Sequence, residues 1–231
     1  MPLDLLQFRQ FLTSGATPAQ VKATLENNPF SILVNPSEAG GPAISIVTLN
    51  DGEMTPKPII MQTTNSAAMS RAITKSPSFH SSVLNVTPAP RPGFDAQALV
   101  GIRLALDDAN DVMVTTRLNG CSLVFQKSRS GHDYVRIVHL QPTMGWDGQQ
   151  LCRYLLDHPP HFAADPTLPA FVFGRLHQSR DDADVNIIAL RRGGRWTLYA
   201  QEYNLVTKAI FEVHVIPLYE PGADAGAARR T

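Results

Sequence analysis

Two residues suited to nucleophilic chemistry, Cys121 and His139, lie 18 positions apart in the sequence. Cys121 directly follows the turn dipeptide Asn119-Gly120, and strand-like apolar runs lie on both sides of it. A thiol with an unperturbed pKa of about 8.5 is mostly protonated at neutral pH, so a cysteine nucleophile needs a neighbouring imidazole that accepts its proton. These two side chains can therefore form a catalytic pair only if the fold brings them together.

The segments SLVFQ and YVRIVHL, joined by the polar loop KSRSGHD, read as a β-hairpin. If the loop is centred on residue 130, Phe125 faces Val135 and Cys121 faces His139 across an antiparallel pair. The apolar pairs on the same face support this register, which also sets Leu123 opposite Ile137. The register predicts that the thiol lies directly opposite the imidazole, with Cβ atoms about 4.5–5.5 Å apart.

The residues around Cys121 supply the other parts of such a site. Thr115 lies six positions earlier, which on a regular strand keeps both side chains on one face. Its hydroxyl or backbone carbonyl can then orient the second ring nitrogen of His139. Glycine before the nucleophile permits a positive φ, which would free the backbone N–H of Cys121, and that of Ser122 as a second donor, to stabilise an oxyanion. The predicted bend and oxyanion residues are Asn119, Gly120 and Ser122.

Further residues are assigned to the substrate cleft or to the core. Gln141 shares the face of His139 by alternation, and Trp146 follows the same strand, so both are predicted to line the substrate cleft. Cys152 lies among leucines in a predicted helix and is predicted to pack in the core. No grouping of Cys, His and carboxylate residues completes a metal site by its spacing, so neither a metal nor an organic cofactor is predicted.

The same bend also has a purely structural interpretation. Asn-Gly is a common turn dipeptide, and free cysteine is among the most buried residue types. A histidine on a strand is often only a satisfied core or edge residue. From residue types and register alone, a β-rich binding domain with a structural Cys121 stays an alternative to a catalytic pair.

The elements around the hairpin predict an α+β fold with a β-sandwich or mixed β-sheet core flanked by helices. Residues 1–30 are predicted to form two short helices, the second capped by Thr17, and a further helix is predicted over 147–158. Gly193-Gly194 predicts a hairpin turn, and the tail 221–231 is predicted to be disordered. The predicted strands are 30–34, 43–49, 58–64, 82–86, 99–106, 111–118, 122–126, 134–140, 170–177, 185–192, 195–203 and 209–219.

Composition indicates one globular domain over residues 1–231, and a monomer is expected. The chain has 20 Lys+Arg and 20 Asp+Glu, so there is no basic excess of the kind that nucleic-acid binding requires. It has no basic segment followed by an apolar core at its start, and no apolar run of about 18 residues. Neither a classical signal peptide nor a membrane span is therefore predicted.

The segment TTRLNGC, with His139 in a following strand, resembles the cysteine deamidases typified by cytotoxic necrotizing factor and Burkholderia lethal factor. The chemoreceptor glutamine deamidase of chemotaxis is similar in the same way. The pattern is most similar to the lethal factor, including the threonine six residues before the cysteine. Asn119 stands where the family has a serine, and the Cys-to-His spacing is longer than in the lethal factor. The matching residues are Thr115, Leu118, Gly120, Cys121 and His139.

This resemblance implies a Cys121–His139–Thr115 triad that converts a glutamine of a host protein to glutamate through a thioester. It also implies a bacterial toxin or effector, secreted without a classical signal peptide and active in the host cytosol. The implied partner is a host protein such as a small GTPase or a translation factor. A related cysteine hydrolase, such as a protease, or a transglutaminase is the alternative within the same chemistry.

Overall fold

The computed structural model describes residues 3–33, 43–51, 58–64, 77–89, 98–106, 110–129, 133–143 and 145–220. In this part, side-chain caps fix where each α-helix begins, and each cap is a capping box closed by a glutamine three residues later. Thr17 caps the second helix, as the sequence predicts, and Asp147 caps the third. No helix in these ranges is long and apolar enough to cross a membrane. The helices are α1 (Leu5–Thr13), α2 (Pro18–Leu25) and α3 (Gly148–Asp157).

The strands build two main sheets. In chain order they are β1 (Phe30–Leu33), β2 (Ala43–Asp51), β3 (Ile59–Thr64), β4 (Ser78–Leu84), β5 (Val86–Pro88), β6 (Ala98–Leu99), β7 (Ile102–Ala105), β8 (Val112–Thr115), β9 (Ser122–Gln126), β10 (Tyr134–Gln141), β11 (His161–Phe162), β12 (Phe171–Phe173), β13 (Ala183–Arg192), β14 (Arg195–Asn204) and β15 (Ile210–Pro217). The large sheet has the order β1-β3-β2-β4-β8-β13-β14-β15. The small sheet has the order β12-β9-β10-β5, with β7 also paired to β10, and β6 pairs with β11 separately.

Three apolar clusters stack these elements into layers, which confirms the predicted α+β fold with a sheet core. The first lies between α1, α2 and the outer face of the large sheet, and includes Phe8 and Leu25. The second joins the facing sides of the two sheets and includes Leu123 and Ile187. The third packs α3 on the outer face of the small sheet, through residues such as Leu151. The chain therefore buries apolar surface on both faces of each main sheet, the main driving force for such a fold.

Several predicted strands are shorter than the sequence indicates, and close packing explains the clearest case. The predicted strand 170–177 ends at Phe173 and continues as a short 3-10 helix, Arg175–His177. A Cβ atom on the intervening Gly174 would lie 2.4 Å from Ser122 Oγ and 3.1 Å from Cys152 Sγ, so a larger residue here would require these two side chains to move. The predicted strand 99–106 likewise divides into β6 and β7, and 82–86 is divided between β4 and β5.

The turn between β13 and β14 and the third helix agree with the sequence predictions. Gly193 and Gly194 have φ values of +56° and +72°, which confirms the hairpin turn between β13 and β14. The predicted helix over 147–158 agrees with α3 to within one residue at each end. The tail 221–231 lies outside the described residues, so its predicted disorder stays a prediction.

Candidate active site at the crossing between the sheets

The bend that carries Cys121 is the place where the chain passes from one sheet to the other. β8 ends in the large sheet, and Leu118 remains bonded to it through a two-way backbone bridge with Val185, with N···O distances of 2.7 and 3.2 Å. After Asn119 and Gly120 the chain enters β9 of the small sheet. Gly120 has a φ of +77°, which confirms the predicted positive φ and explains why glycine suits this position.

Thr115 and His139 meet across the interior between the two sheets. Thr115 is the last residue of β8 and His139 lies in β10, and both are fully buried. Thr115 Oγ1 lies 2.7 Å from His139 Nδ1, so the predicted threonine–histidine contact is present and is made by the side-chain hydroxyl. This hydrogen bond ties the large sheet to the small one next to the bend.

A second hydrogen bond of Thr115 determines which nitrogen of His139 carries the proton. The Thr115 hydroxyl donates to the carbonyl oxygen of Leu84 at 2.7 Å, and a hydroxyl has only one hydrogen to donate. Thr115 Oγ1 must therefore accept from His139 Nδ1–H. The remaining ring nitrogen, Nε2, then has a free lone pair, which is the tautomer that a general base requires.

The environment of His139 keeps the ring neutral. Burial lowers the pKa of His139 from 6.5 to about 3, because the charged form would lose its hydration. Nε2 is buried and has no hydrogen-bond partner within the ranges that the structure describes. A buried polar atom without a partner is unusual in folded proteins and is often found at functional sites.

The register of the hairpin differs from the prediction by two residues. His139 pairs with Leu123 and Ile137 with Phe125, so the predicted direct opposition of Cys121 and His139 is wrong. The prediction assumed a loop centred on residue 130, whereas the pair nearest the loop, Gln126 with Arg136, centres it one residue later. The connection therefore extends further on the β10 side.

A shift of two residues preserves the face on which each side chain lies. By alternation, Cys121 and His139 still share the inner face of the small sheet, as diagonal neighbours whose Cα atoms are typically about 7–8 Å apart. No hydrogen bond joins the thiol to Nε2 among the described residues. Extending the observed register by one residue places Gln141 across from Cys121.

The thiol of Cys121 is almost completely enclosed. Its residue is 7% exposed and belongs to the apolar cluster between the sheets. This burial raises the pKa of Cys121 from 9.0 to about 11, and a backbone hydrogen bond at Asn119 offsets only part of the effect. In the resting protein the pair is thus a neutral thiol and a neutral imidazole, not a thiolate–imidazolium pair.

The residues of the predicted bend and oxyanion site have different surroundings. Within the described residues, the N–H groups of Gly120 and Cys121 make none of the backbone hydrogen bonds of turns and loops, so no such bond competes for them with a substrate oxygen. Asn119 contacts the thiol through its backbone. The hydroxyl of Ser122 lies near Gly174 on the opposite side of β9, so this side chain does not face the site.

Helix α3 supports the bend from outside, a contribution that sequence reasoning missed. A Cβ atom on Gly148, the first residue of α3, would lie 2.5 Å from Gly120 Cα and 2.6 Å from its carbonyl oxygen. The two glycines therefore allow backbone-to-backbone packing that holds the bend in place. The signal available in the sequence was a glycine directly after the capping residue Asp147.

The two predicted substrate-cleft residues have different surroundings. Gln141 is exposed at the end of β10, close to the bend by register. Trp146 packs against Tyr154 of α3, with ring centroids 4.9 Å apart, on the outer side of the small sheet. Cys152 is fully buried, as predicted, and its sulfur lies 3.8 Å from His177 Nδ1.

Comparison with known proteins adds no relative: no protein-family model matches the chain, and no curated protein matches it significantly. What this chain does must therefore be argued from the site itself.

The low pKa of His139 predicts how stability depends on pH. Between pH 6.5 and 3 the unfolded state binds a proton at this residue and the folded state does not. The free energy of unfolding should therefore fall by about 1.4 kcal/mol for each unit that the pH drops within this window. The contribution is fully present above pH 6.5.

Urea unfolding at a series of pH values, for wild type and His139→Gln, measures this slope. The difference between the two proteins isolates His139, because His177, whose pKa burial also lowers, titrates in both. Equal pH dependence in the two proteins would mean that His139 is not held neutral by the fold.

Proposed function

We propose that the chain is a cysteine-dependent glutamine deamidase with Cys121 as nucleophile, His139 as general base and acid, and Thr115 as the residue that positions His139. The observation that carries this proposal is the tautomer of His139: Thr115 accepts from Nδ1–H, while Nε2 is buried and has no hydrogen-bond partner among the described residues. Cys121 shares the inner face with this nitrogen and follows the positive-φ glycine of the bend. Together these features support nucleophilic catalysis by a thiol.

In the proposed reaction, Cys121 Sγ attacks the side-chain carboxamide carbon of glutamine while its proton passes to His139 Nε2. The backbone N–H groups of the bend stabilise the oxyanion of the tetrahedral intermediate. The C–N bond then breaks, the proton on Nε2 goes to the departing ammonia, and a thioester remains on Cys121. Water attacks the thioester with Nε2 as base, the C–S bond breaks, and the products are glutamate and the free thiol.

The pKa values of Cys121 and His139 in the resting protein determine when the proton moves from the thiol to the imidazole. The Cys121 thiol is a much weaker acid than the His139 imidazolium, since their pKa values are about 11 and about 3. Proton transfer before substrate arrives is therefore strongly unfavourable. The proton moves as the sulfur attacks, when the new C–S bond removes the need for a free thiolate. In this respect the mechanism is similar to general-base catalysis at a serine.

Burial of the site favours a side-chain amide over a peptide bond as substrate. Cys121 is 7% exposed and His139 is fully buried, so only a thin group can reach the sulfur without opening the sheets. A glutamine side chain ends in a carboxamide on a flexible unbranched stem and meets this requirement. A protease must hold several residues of extended backbone along an open cleft.

The biological setting is proposed from the resemblance of TTRLNGC and His139 to toxin deamidases. It is that of a bacterial effector, secreted without a classical signal peptide, that modifies a host protein in the host cytosol. A small GTPase or a translation factor is the class of target that the resemblance implies. Transglutamination would follow from the same thioester if an amine displaced water.

The proposal predicts that the chain converts one glutamine of a target protein to glutamate. Host-cell extracts are incubated with wild type, Cys121→Ser or Cys152→Ser, and peptides are compared by mass spectrometry. We expect a Gln-to-Glu mass change with wild type and with Cys152→Ser, and none with Cys121→Ser.

The other outcomes separate the alternatives. Peptide cleavage that depends on Cys121 would indicate a protease, and incorporation of an added primary amine would indicate a transglutaminase. Extracts that are identical for all three proteins would favour a binding domain in which Cys121 is structural.

The role of Thr115 predicts a graded response to substitution. Thr115→Val keeps the shape but removes the acceptor for His139 Nδ1–H, so the rate of deamidation should fall by at least about 100-fold, the range for loss of acid–base catalysis. Thr115→Ser restores the hydroxyl and should remain within about 10-fold of wild type.

The pH profile distinguishes a positioning role from a structural one. A change of tautomer in Thr115→Val should alter the pH dependence of kcat/KM, whereas simple destabilisation would lower activity equally at every pH. Thr115→Val with full activity would remove Thr115 from the mechanism.

A further inference from the structure

An unusual pair of glutamates lies on the inner face of the large sheet, away from the bend. Glu202 of β14 is directly opposite Glu212 of β15 in the antiparallel register. Like charges directly opposite each other destabilise a sheet unless a cation lies between them. The ladder has an irregularity between Glu202 and Tyr203, and such bulges often occur where side chains are aimed at a site.

His214 completes the group, because it lies two residues after Glu212 and therefore on the same face of β15. Its Nε2–H donates to Glu202 Oε1 at 2.5 Å, and its Nδ1 lies 3.8 Å from Glu212 Oε1. One carboxylate, one imidazole and a second carboxylate thus converge from neighbouring strands. One potential ligand atom from each of the three residues lies within 4.8 Å of the others.

Glu202 is oriented in the way that metal-binding carboxylates usually are. Its side chain is 0% exposed, and Ser179 holds it through the backbone N–H at 3.0 and 2.9 Å and through the hydroxyl at 2.5 Å. Hydrogen bonds from such a partner fix the direction of a ligating carboxylate and tune the metal. A buried carboxylate is normally paired with a cation or bound to a metal.

We propose that Glu202, Glu212 and His214 bind one divalent metal ion of the Zn²⁺ class. Two carboxylates and a neutral imidazole neutralise a divalent ion, and both oxygen and imidazole ligands suit zinc. Bonds of about 2.0–2.2 Å place the ligand atoms about 3.3 Å apart, so Glu202 Oε1 and His214 Nε2 must separate slightly while the Glu212 carboxylate moves closer. The Glu212 side chain is 49% exposed, so it can make this movement.

The ion takes the place of the hydrogen between His214 and Glu202. On binding, Nε2 loses its proton to solvent and Nδ1 takes one up, so the ring stays a neutral imidazole, and both Nε2 and the Glu202 oxygen bond to the metal. The His214 ring packs against Phe173, whose ring centroid is 5.5 Å away in an edge-to-face arrangement.

The site opens into a cavity that can hold a further ligand of the metal. Glu212, His214 and His177 line a pocket of about 590 Å³, which lies between β12 and β15, the edge strands of the two sheets. Three protein ligands with an open position toward a cavity are the arrangement of zinc sites that bind water or substrate, whereas structural zinc sites have four protein ligands.

This site is separate from the proposed deamidase site. Leu118, Val185, Glu202 and Glu212 are successive neighbours across the large sheet. Three strand spacings separate Leu118, beside the bend, from Glu212, which is about 14 Å. Loss of one site therefore leaves the other available for testing.

Isothermal titration of chelator-treated full-length protein with ZnCl₂ tests the proposal. The Cys121→Ser variant serves as the background, because a thiol can bind Zn²⁺ by itself. We expect one equivalent of Zn²⁺ to bind in wild type and in this background. Glu212→Gln should weaken binding by at least about 10-fold, and His214→Gln by more. Glu220→Gln is the matched control, since it removes the same charge just after β15, and should bind as wild type does.

Three results would overturn the proposal. They are no saturable binding at one equivalent, binding that Glu212→Gln and His214→Gln leave unchanged, and binding that is lost in Cys121→Ser. Thermal unfolding of each variant without metal checks the fold, and Glu212→Gln should be at least as stable as wild type, because its side chain is half exposed and the change removes a like charge opposite Glu202.

Discussion

The hydrogen bond between Thr115 and His139 is the interaction on which the rest of the candidate site depends. It joins the end of a strand in the large sheet to the middle of a strand in the small sheet, at the level where the chain crosses between them. Because the Thr115 proton is already given to Leu84, the direction of this bond is fixed, and with it the tautomer of His139. Without that carbonyl, either ring nitrogen could carry the proton. The fold thus contributes a backbone acceptor from a third strand, β4, as well as two side chains.

Burial of the candidate site has two chemical consequences, and both limit its reactivity toward solvent. Burial makes the imidazole a neutral base and the thiol a weak acid, so the resting pair is unreactive toward solvent. It also restricts access to narrow groups. A buried, neutral thiol is also protected from oxidation and alkylation, which depend on thiolate character and exposure.

Much of this arrangement can be predicted from the sequence, and the failures have physical causes. The faces of Cys121, His139 and Thr115 follow from strand alternation, which survives a register shift of two residues, and the positive φ of Gly120 follows from its residue type. The register itself does not follow, because loop length alone does not determine where the pairing of β9 with β10 begins, and the apolar alternation is the same in both registers. The Leu84 carbonyl and the packing of Gly148 on Gly120 are backbone contacts between distant segments, to which no side-chain pattern points. The Glu202–Glu212 pair cannot be predicted from the sequence either, because only the β14–β15 register sets these residues opposite each other.

The proposed function depends on His139 being a neutral imidazole that is protonated at Nδ1 and whose Nε2, which has no partner among the described residues, is close enough to Cys121 to take its proton. Nitrogen-15 NMR of the histidine side chains tests it most directly, in wild type, Cys121→Ser and Cys152→Ser. The account predicts the Nδ1–H tautomer for His139, a ring that stays neutral well below pH 6.5, and an Nε2 resonance that moves in Cys121→Ser. Cys152→Ser should instead move His177, whose Nδ1 lies 3.8 Å from the Cys152 sulfur. Protonation of Nε2, titration near pH 6.5, or an Nε2 resonance unaffected by Cys121→Ser would contradict the account.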